Sequence, residues 1–387
     1  MSFDRRTFLI GAGSGLTLLA LSACTVVQPS PTRTPTATPS GGVRPAGMVR
    51  SNWGNDQLAH GSLSFVYIGA SEQQRSALAA PIDNRVFFAG EATSLENGGT
   101  VQGALESGER AAAEVATIAL PGERVTIVGA GAAGAAAARK LTTLGFEVTV
   151  IDARDRTGGR IHTAISDAWP VPVEFGAILV KGEVADPGVA TAALGAVETR
   201  DASGSVVAGV SSVDNLYGID PTAGSVVTGR YASLVTDLLG DTQVYLSTTV
   251  VGIAHDDDSV SVRLGTGESL TAERVIVTVP LGVLKQGAIE FSPELPDEHQ
   301  TAIDALGMGT VDTVWLRFDE PFWTTDATAW RLTESESDLT TWINLQPLTG
   351  EPVLVALVGG DAAERVAAMS DDAVIAAAIE ALTPFAA

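Results

Sequence analysis

Cysteine is almost absent from this sequence: Cys24 is the only one among 387 residues. A disulfide framework and a thiolate metal site are thereby excluded, and the body of the chain has no thiol for catalysis. Histidine is scarce too. The four histidines form no His/Cys cluster and no His-x-x-x-His spacing, which leaves a catalytic metal and a Ser-His-Asp hydrolase without support. Positive charge is low: 23 Lys and Arg stand against 46 Asp and Glu, a formal net charge of -23. Such a surface repels a phosphate backbone, so nucleic acid is not expected as a partner, and the acidity serves mainly solubility. Lysine occurs only at Lys140, Lys181 and Lys285. After Cys24 no apolar run reaches the ~20 residues of a membrane span, so the body is expected to be soluble. The length leaves room for two average domains with a sizeable core.

At the N-terminus, Arg5 and Arg6 precede an apolar run that closes on Leu21-Ser22-Ala23-Cys24. This resembles a twin-arginine export signal ending in a bacterial lipobox. It implies a leader over residues 1–24, lipidation of Cys24, and an exported lipoprotein held at the outer face of the cytoplasmic membrane. The other reading of this run is an ordinary transmembrane anchor, for which it is short. Gly11, Gly13 and Gly15 sit inside the run with no acidic ribose partner downstream, so they are no nucleotide loop. Residues 25–47 are rich in Pro, Thr and Ser without a hydrophobic period and read as a linker.

From residue 48 onward the pattern is globular. Strands are predicted over 85–89, 124–128, 147–151, 243–250, 259–263, 274–279 and 311–318, and helices over 100–115, 132–144, 231–239 and 371–382. Residues 182–225 give only weak signals. The strongest chemistry lies in VTIVGAGAAGAAAARKLTTLGFEVTVIDARDRTGGR. Gly129, Gly131 and Gly134 follow a strand and open a helix, which lets the backbone turn sharply and a pyrophosphate approach the helix N-terminus. Asp152 ends the next strand about 20 residues on, where a carboxylate accepts hydrogen bonds from the adenosine ribose. Arg154, Arg156 and Arg160 are expected to neutralise phosphate charge, while Gly158 and Gly159 let the chain pass close to the cofactor.

This block resembles the FAD-binding start of the flavin amine oxidases, the family of monoamine, polyamine and L-amino-acid oxidases; Asp152 stands where that family more often has Glu. VEFGA (residues 173–177) matches the motif that passes beneath the flavin, Val250 the backbone contact to adenine, and VIVTVPLGVL the strand that re-enters the FAD domain. The family's closing FAD signature comes first here. WGNDQLAHGSLSFVYIGA and RVFFAGEATSLENGGTVQGALESGERAAAEV, within residues 53–115, are similar to the block that normally ends the chain. The resemblance implies that Gly90 and Glu91 meet the ribityl and phosphate region, and that the helix begun at Thr100 and Val101 points at the flavin pyrimidine ring. The chain stops at EALTPFAA, about where a usual member runs on into the tryptophan segment. The order reads as a circular permutation, or as a fragment that has lost a second copy of the block.

The resemblance implies an α/β fold: a Rossmann-type FAD-binding domain with a reduced α+β substrate domain. Residues 48–116 are the permuted FAD segment, 117–181 the Rossmann segment, 182–245 a shortened substrate segment, 246–285 a return to the FAD domain, and 286–387 the substrate domain. The implied cofactor is non-covalent FAD, since no cysteine follows Cys24 for attachment, and the implied partners are a small amine or amino acid and oxygen. Three departures stand out. The region before residue 229 is short, the aromatic cage positions are Leu63 and Thr100, and Thr313 stands where the family has its active-site lysine. Candidate catalytic positions are therefore Thr313, Lys181 as a substitute cation, and Trp53 as a neighbouring aromatic; no metal is expected. A flavin dehydrogenase or desaturase, and a non-catalytic flavin-binding lipoprotein, are the alternatives.

Overall fold

Apolar runs bounded by turn residues pair into a five-stranded sheet in the order Gln243–Tyr245, Glu147–Ile151, Arg124–Val128, Arg274–Val277 and Val86–Phe88, every neighbouring pair parallel. The computed structural model describes residues 43–67, 71–181, 188–195, 197–207 and 224–386. Both faces of the sheet are covered, which is why RVTIV and RVIV lack polar alternation. Phe87, Val125, Ile127 and Ile276 turn to the helices Val101–Ile118, Ala132–Thr143 and Tyr231–Leu239. Val86, Phe88, Val275 and Val277 turn to Val250–His255 and Val260–Leu264, which belong to a four-stranded sheet with Ser269–Ala272 and Glu290–Ser292. The alanine-rich helices approach closely: a Cβ on Gly108 would stand 2.1 Å from the Ala133 carbonyl oxygen.

A second sheet of six strands runs Gly47–Arg50, Val311–Arg317, Val353–Gly359, Thr341–Asn344, Ala329–Thr333 and Val197–Asp201. Period-two alternation divides its residues between two cores. Val314, Leu316, Leu354 and Ala356 join Trp330, Trp342 and residues of the helix Asp371–Leu382 on one face. Trp315, Val355 and Leu357 meet Val171, Val173 and Phe175 on the other, and Thr313 shares that side of its strand. At the ends, Met48 packs against the cluster that contains Phe385. Arg50 donates to the Val366 and Met369 carbonyls at 2.7 and 2.8 Å and lies 3.0 Å from Asp371.

These pairings place the boundaries differently from the expected ones. Gly47–Arg50 belongs to the six-stranded sheet, so the expected linker loses Gly47 and the segment 48–116 enters the parallel sheet only at Val86–Phe88. Tyr231–Leu239 and Gln243–Tyr245, expected on the substrate side, are part of the nucleotide body, and Glu290–Ser292 extends that body past residue 285. Hydrophobic period reports that a segment is buried, not which sheet buries it. The strand expected over 243–250 breaks at Ser247, where φ is +50. In the weak stretch 182–225, Ala190–Ala193 and Val197–Asp201 are strands, while residues 182–187 and 208–223 lie outside the described residues.

Candidate dinucleotide and substrate site

The three glycines after Arg124–Val128 have different reasons. Gly129 has φ +116, and a Cβ there would stand 2.4 Å from Thr278 Oγ1; one on Gly134 would stand 1.9 Å from the Gly129 carbonyl oxygen. The fold itself requires both. Gly131 has φ −84 and ψ −173, open to any residue, and a Cβ there would meet only Gly158 O, at 3.8 Å. Nothing inside the protein calls for glycine at 131. A side chain would fill the space before the N-terminus of Ala132–Thr143, where unpaired N–H groups and the helix dipole favour an anion. Gly158 and Gly159, at φ +98 and +59, bring the chain back to this end, and Gly158 N donates to Ala130 O at 2.9 Å.

Asp152 accepts from Ala130 N at 2.7 Å and Arg154 N at 2.8 Å, which ties the glycine loop to the end of its strand and leaves lone pairs for a ribose. The arginines are more engaged than the sequence implied. Arg154 forms a two-point pair with Asp56, and Arg160 donates to Glu91 at 2.7 Å. Arg156 donates to the carbonyls of Thr157, Gly159 and Ile161, so it knits the glycine turn instead of waiting for phosphate. His162, beside Phe175 with ring centroids 5.1 Å apart, is held neutral: burial and the Arg156 and Arg154 charges push it down to about 4.

The front segment supplies the other wall. Gly90, at φ +130, turns the chain into Glu91, which is 5% exposed. Glu91 accepts from Ser64 Oγ at 2.5 Å and Gly99 N at 2.8 Å besides Arg160, and Arg75 donates to Ser64 Oγ at 2.7 Å. Burial opposes its charge, but the Arg160 charge and these hydrogen bonds outweigh that, and Glu91 titrates below the usual carboxylate range. Thr100 caps Val101–Ile118: its hydroxyl accepts from Gly103 N at 3.0 Å and donates to Asn97 O at 2.7 Å. Leu63 lies beside the Gly99 turn that leads into this helix, its Cδ1 3.4 Å from where a Gly99 Cβ would stand. Val250 is buried among Val128, Ile151 and Val275.

Trp53 is not a substrate-facing aromatic. It is 4% exposed, its Nε1 donates to Phe175 O at 2.8 Å, its backbone N donates to Asp312 Oδ1 at 2.8 Å, and Arg154 lies over its ring. With its polar atom satisfied and its face covered, it is a structural hub. Thr313 is also buried; its hydroxyl points to Phe175 O at 3.5 Å and its N–H goes to Ser51 Oγ. Lys181 closes the strand Leu179–Lys181, and its side chain lies outside the described residues. Sequence reading missed Asp56, Ser64, Arg75 and Asp312. Asp56 lies inside the quoted WGND motif, which was its only signal; Asp312, pushed up by burial despite Trp53 N and Ser51, has an Oδ2 without a partner among the described residues.

Hydrogen bonds thus join the front segment to the glycine loop and the strand end after it, Trp53 to Phe175, Asp56 to Arg154, Glu91 to Arg160 and Asp152 to Ala130. Among the described residues no group of His, Cys, Asp or Glu could hold a metal ion. The family described as "Flavin containing amine oxidoreductase" matches residues 36–116 and 192–386, and an "NAD(P)-binding Rossmann-like domain" matches 127–187. Among curated proteins the chain is 26% identical to "Probable polyamine oxidase 4" of Arabidopsis thaliana, over 64% of this chain and 69% of that protein. It is 28% identical to "Lysine-specific histone demethylase 1 homolog 1" of Arabidopsis thaliana, over 64% of this chain and 40% of that one. A solved structure of a putrescine oxidase redesigned in cofactor binding superposes with TM-score 0.55 at 18% identity, over 69% of this chain and 82% of that one, a likeness of fold.

Proposed function

Because the chain belongs to the flavin containing amine oxidoreductases, we propose that it binds FAD non-covalently and oxidises a small amine or amino acid, with oxygen as the acceptor. FAD, when bound, supplies the acceptor for a hydride from the carbon beside the amine nitrogen. The observation that carries the reading is Gly131, a position that asks for a ligand where the protein asks for nothing. The residues present suit that ligand. On this reading Asp152, which holds Ala130 N, would take the ribose, the helix end at Ala132 the pyrophosphate, and Glu91 with Arg160 the groups between it and the ring. On the substrate side, the resemblance would set Leu63 and Thr100 to orient by shape alone and Thr313, whose hydroxyl points to Phe175 O in the structure, in place of a lysine; none of these residues moves a proton, so the amine must arrive neutral. The neutral Thr313 also favours a second reading, a flavin dehydrogenase or desaturase, over which a substitute cation at Lys181 would restore oxidase chemistry.

The protein should purify yellow and release intact FAD on denaturation. Anaerobic mixing with a panel of primary amines, polyamines and amino acids should bleach it, and air should restore the colour. Bleaching by no amine removes the oxidase reading; bleaching that air does not reverse leaves the dehydrogenase. For the segment order we propose a circular permutation. Support comes from Val86–Phe88 pairing beside Arg274–Val277, and from Met48 packing with the cluster of Phe385.

Export as a lipoprotein through Cys24 belongs to the same proposal, on the strength of Arg5-Arg6 and LSAC. Among the described residues no helix is long and apolar enough to cross a membrane. Cys24→Ser should move the protein from the membrane to the soluble fraction after cell breakage. Unchanged membrane association would mean that the run before Cys24 is itself the anchor.

A further inference from the structure

The turn that starts at Trp53 carries a carboxylate that the reading above leaves unused. Asp56 Oδ1 and Oδ2 accept from Arg154 Nη2 and Nη1 at 2.8 and 2.9 Å, a two-point pair between residues 98 apart in sequence. Arg154 is held from below as well, its guanidinium carbon 5.8 Å from the centre of the Trp53 ring. The carboxylate is equally fixed. Leu58 N donates to its Oδ1 at 2.8 Å, while the Asp56 carbonyl accepts from Ala59 N and His60 N. Trp53 in turn is anchored to Phe175 O and to Asp312, so the turn cannot shift alone. Arg154 follows Asp152 by two residues, and its backbone N–H binds the Asp152 carboxylate at 2.8 Å.

We infer that Asp56 is a positioning residue for the dinucleotide: it holds Arg154 over Trp53 so that the remaining guanidinium N–H groups face the anionic part of FAD. The inference rests on the flavin reading. A guanidinium has five N–H donors. Asp56 takes two, and among the described residues no other acceptor binds that side chain, which keeps 14% of its surface in contact with solvent. The remaining donors therefore have no acceptor among the described residues. Burial disfavours the Asp56 charge, but the Arg154 hydrogen bond and charge outweigh it and keep the carboxyl below its ordinary range, so it is ionised wherever binding is measured. A carboxylate that only neutralised Arg154 would weaken its pull on an anion. Positioning and neutralisation thus give opposite signs for Asp56→Asn.

The test is FAD affinity of the apoprotein, read by quenching of flavin fluorescence over a range of salt, for Asp56→Asn, Arg154→Ala and the double variant. Each single change should raise Kd at least about tenfold and flatten the salt dependence, and the double variant should bind no more weakly than Arg154→Ala alone, since Asp56 acts through Arg154. Asp56→Asn binding as tightly as the unaltered chain, or tighter, overturns the inference. So do additive losses in the double variant, or an unchanged salt slope. Should Asp56→Asn not fold, Arg154→Lys serves instead: it keeps the charge but not the fork, and unaltered affinity there is equally fatal. An unaltered chain that binds no FAD overturns the flavin reading as well; one that binds while the variants match it overturns the role of Asp56 alone.

Discussion

Gly131→Leu should give a folded, colourless protein. A leucine is compatible with φ −84 and ψ −173, and the nearest atom to its Cβ would be Gly158 O at 3.8 Å, so the apoprotein loses only the small helix-entry preference of glycine. The side chain would occupy the path to the helix N-terminus, and FAD retention should fall by at least 100-fold, on the order of 3 kcal/mol or more. Melting of the apoprotein within a few degrees of the unaltered chain, with no flavin absorbance after purification, is the expected pair of results. Gly129→Leu and Gly134→Leu make the control. Their Cβ atoms would lie 2.4 Å from Thr278 Oγ1 and 1.9 Å from Gly129 O, so these variants should lose the fold together with the flavin. A yellow Gly131→Leu protein would remove the pyrophosphate assignment.

Glu91→Gln should be the most destabilising conservative change near the site. Glutamine keeps the shape but leaves Arg160, with 21% of its side chain exposed, without its charged partner, and weakens the bonds from Ser64 and Gly99. Removing one member of a buried ion pair costs about 3–5 kcal/mol, and the partial exposure of Arg160 puts the expectation near the lower end. The pH dependence has a definite sign. The folded-state carboxyl titrates below the usual range, so the ionised group contributes stability that is complete above its unfolded value, about 4.3, and is lost as pH falls through the folded one. Urea unfolding midpoints of the two proteins should therefore differ at neutral pH and converge in acid. A constant gap from neutral pH down to acid would show that the Glu91 charge is not the source.

Local spacing carried a good part of this reading. The glycine loop, its helix and Asp152 lie within one strand–helix–strand unit, where each residue's partners are close in sequence, and the structure joins Asp152 to Ala130 across that unit. The Val86–Phe88 strand and the helix begun at Thr100 were equally legible, because burial and helix capping are local properties. The arginines were legible as charges but not as partners. Arg154 goes to Asp56 and Arg160 to Glu91, 69 residues away, pairings that no spacing rule encodes.

What the sequence by itself determined is therefore a dinucleotide-binding glycine loop, membership of the flavin containing amine oxidoreductases, and lysine confined to Lys140, Lys181 and Lys285. Only the tertiary structure decided that Trp53 is a buried hub rather than a substrate-facing ring, that residues 231–245 serve the nucleotide body, and that Asp56 is tied to Arg154. The reason is physical. A residue's propensity and period are set by its neighbours along the chain, whereas its hydrogen-bond partner is whichever group chain folding brings to it, and an unpaired buried charge is too costly for that choice to remain open.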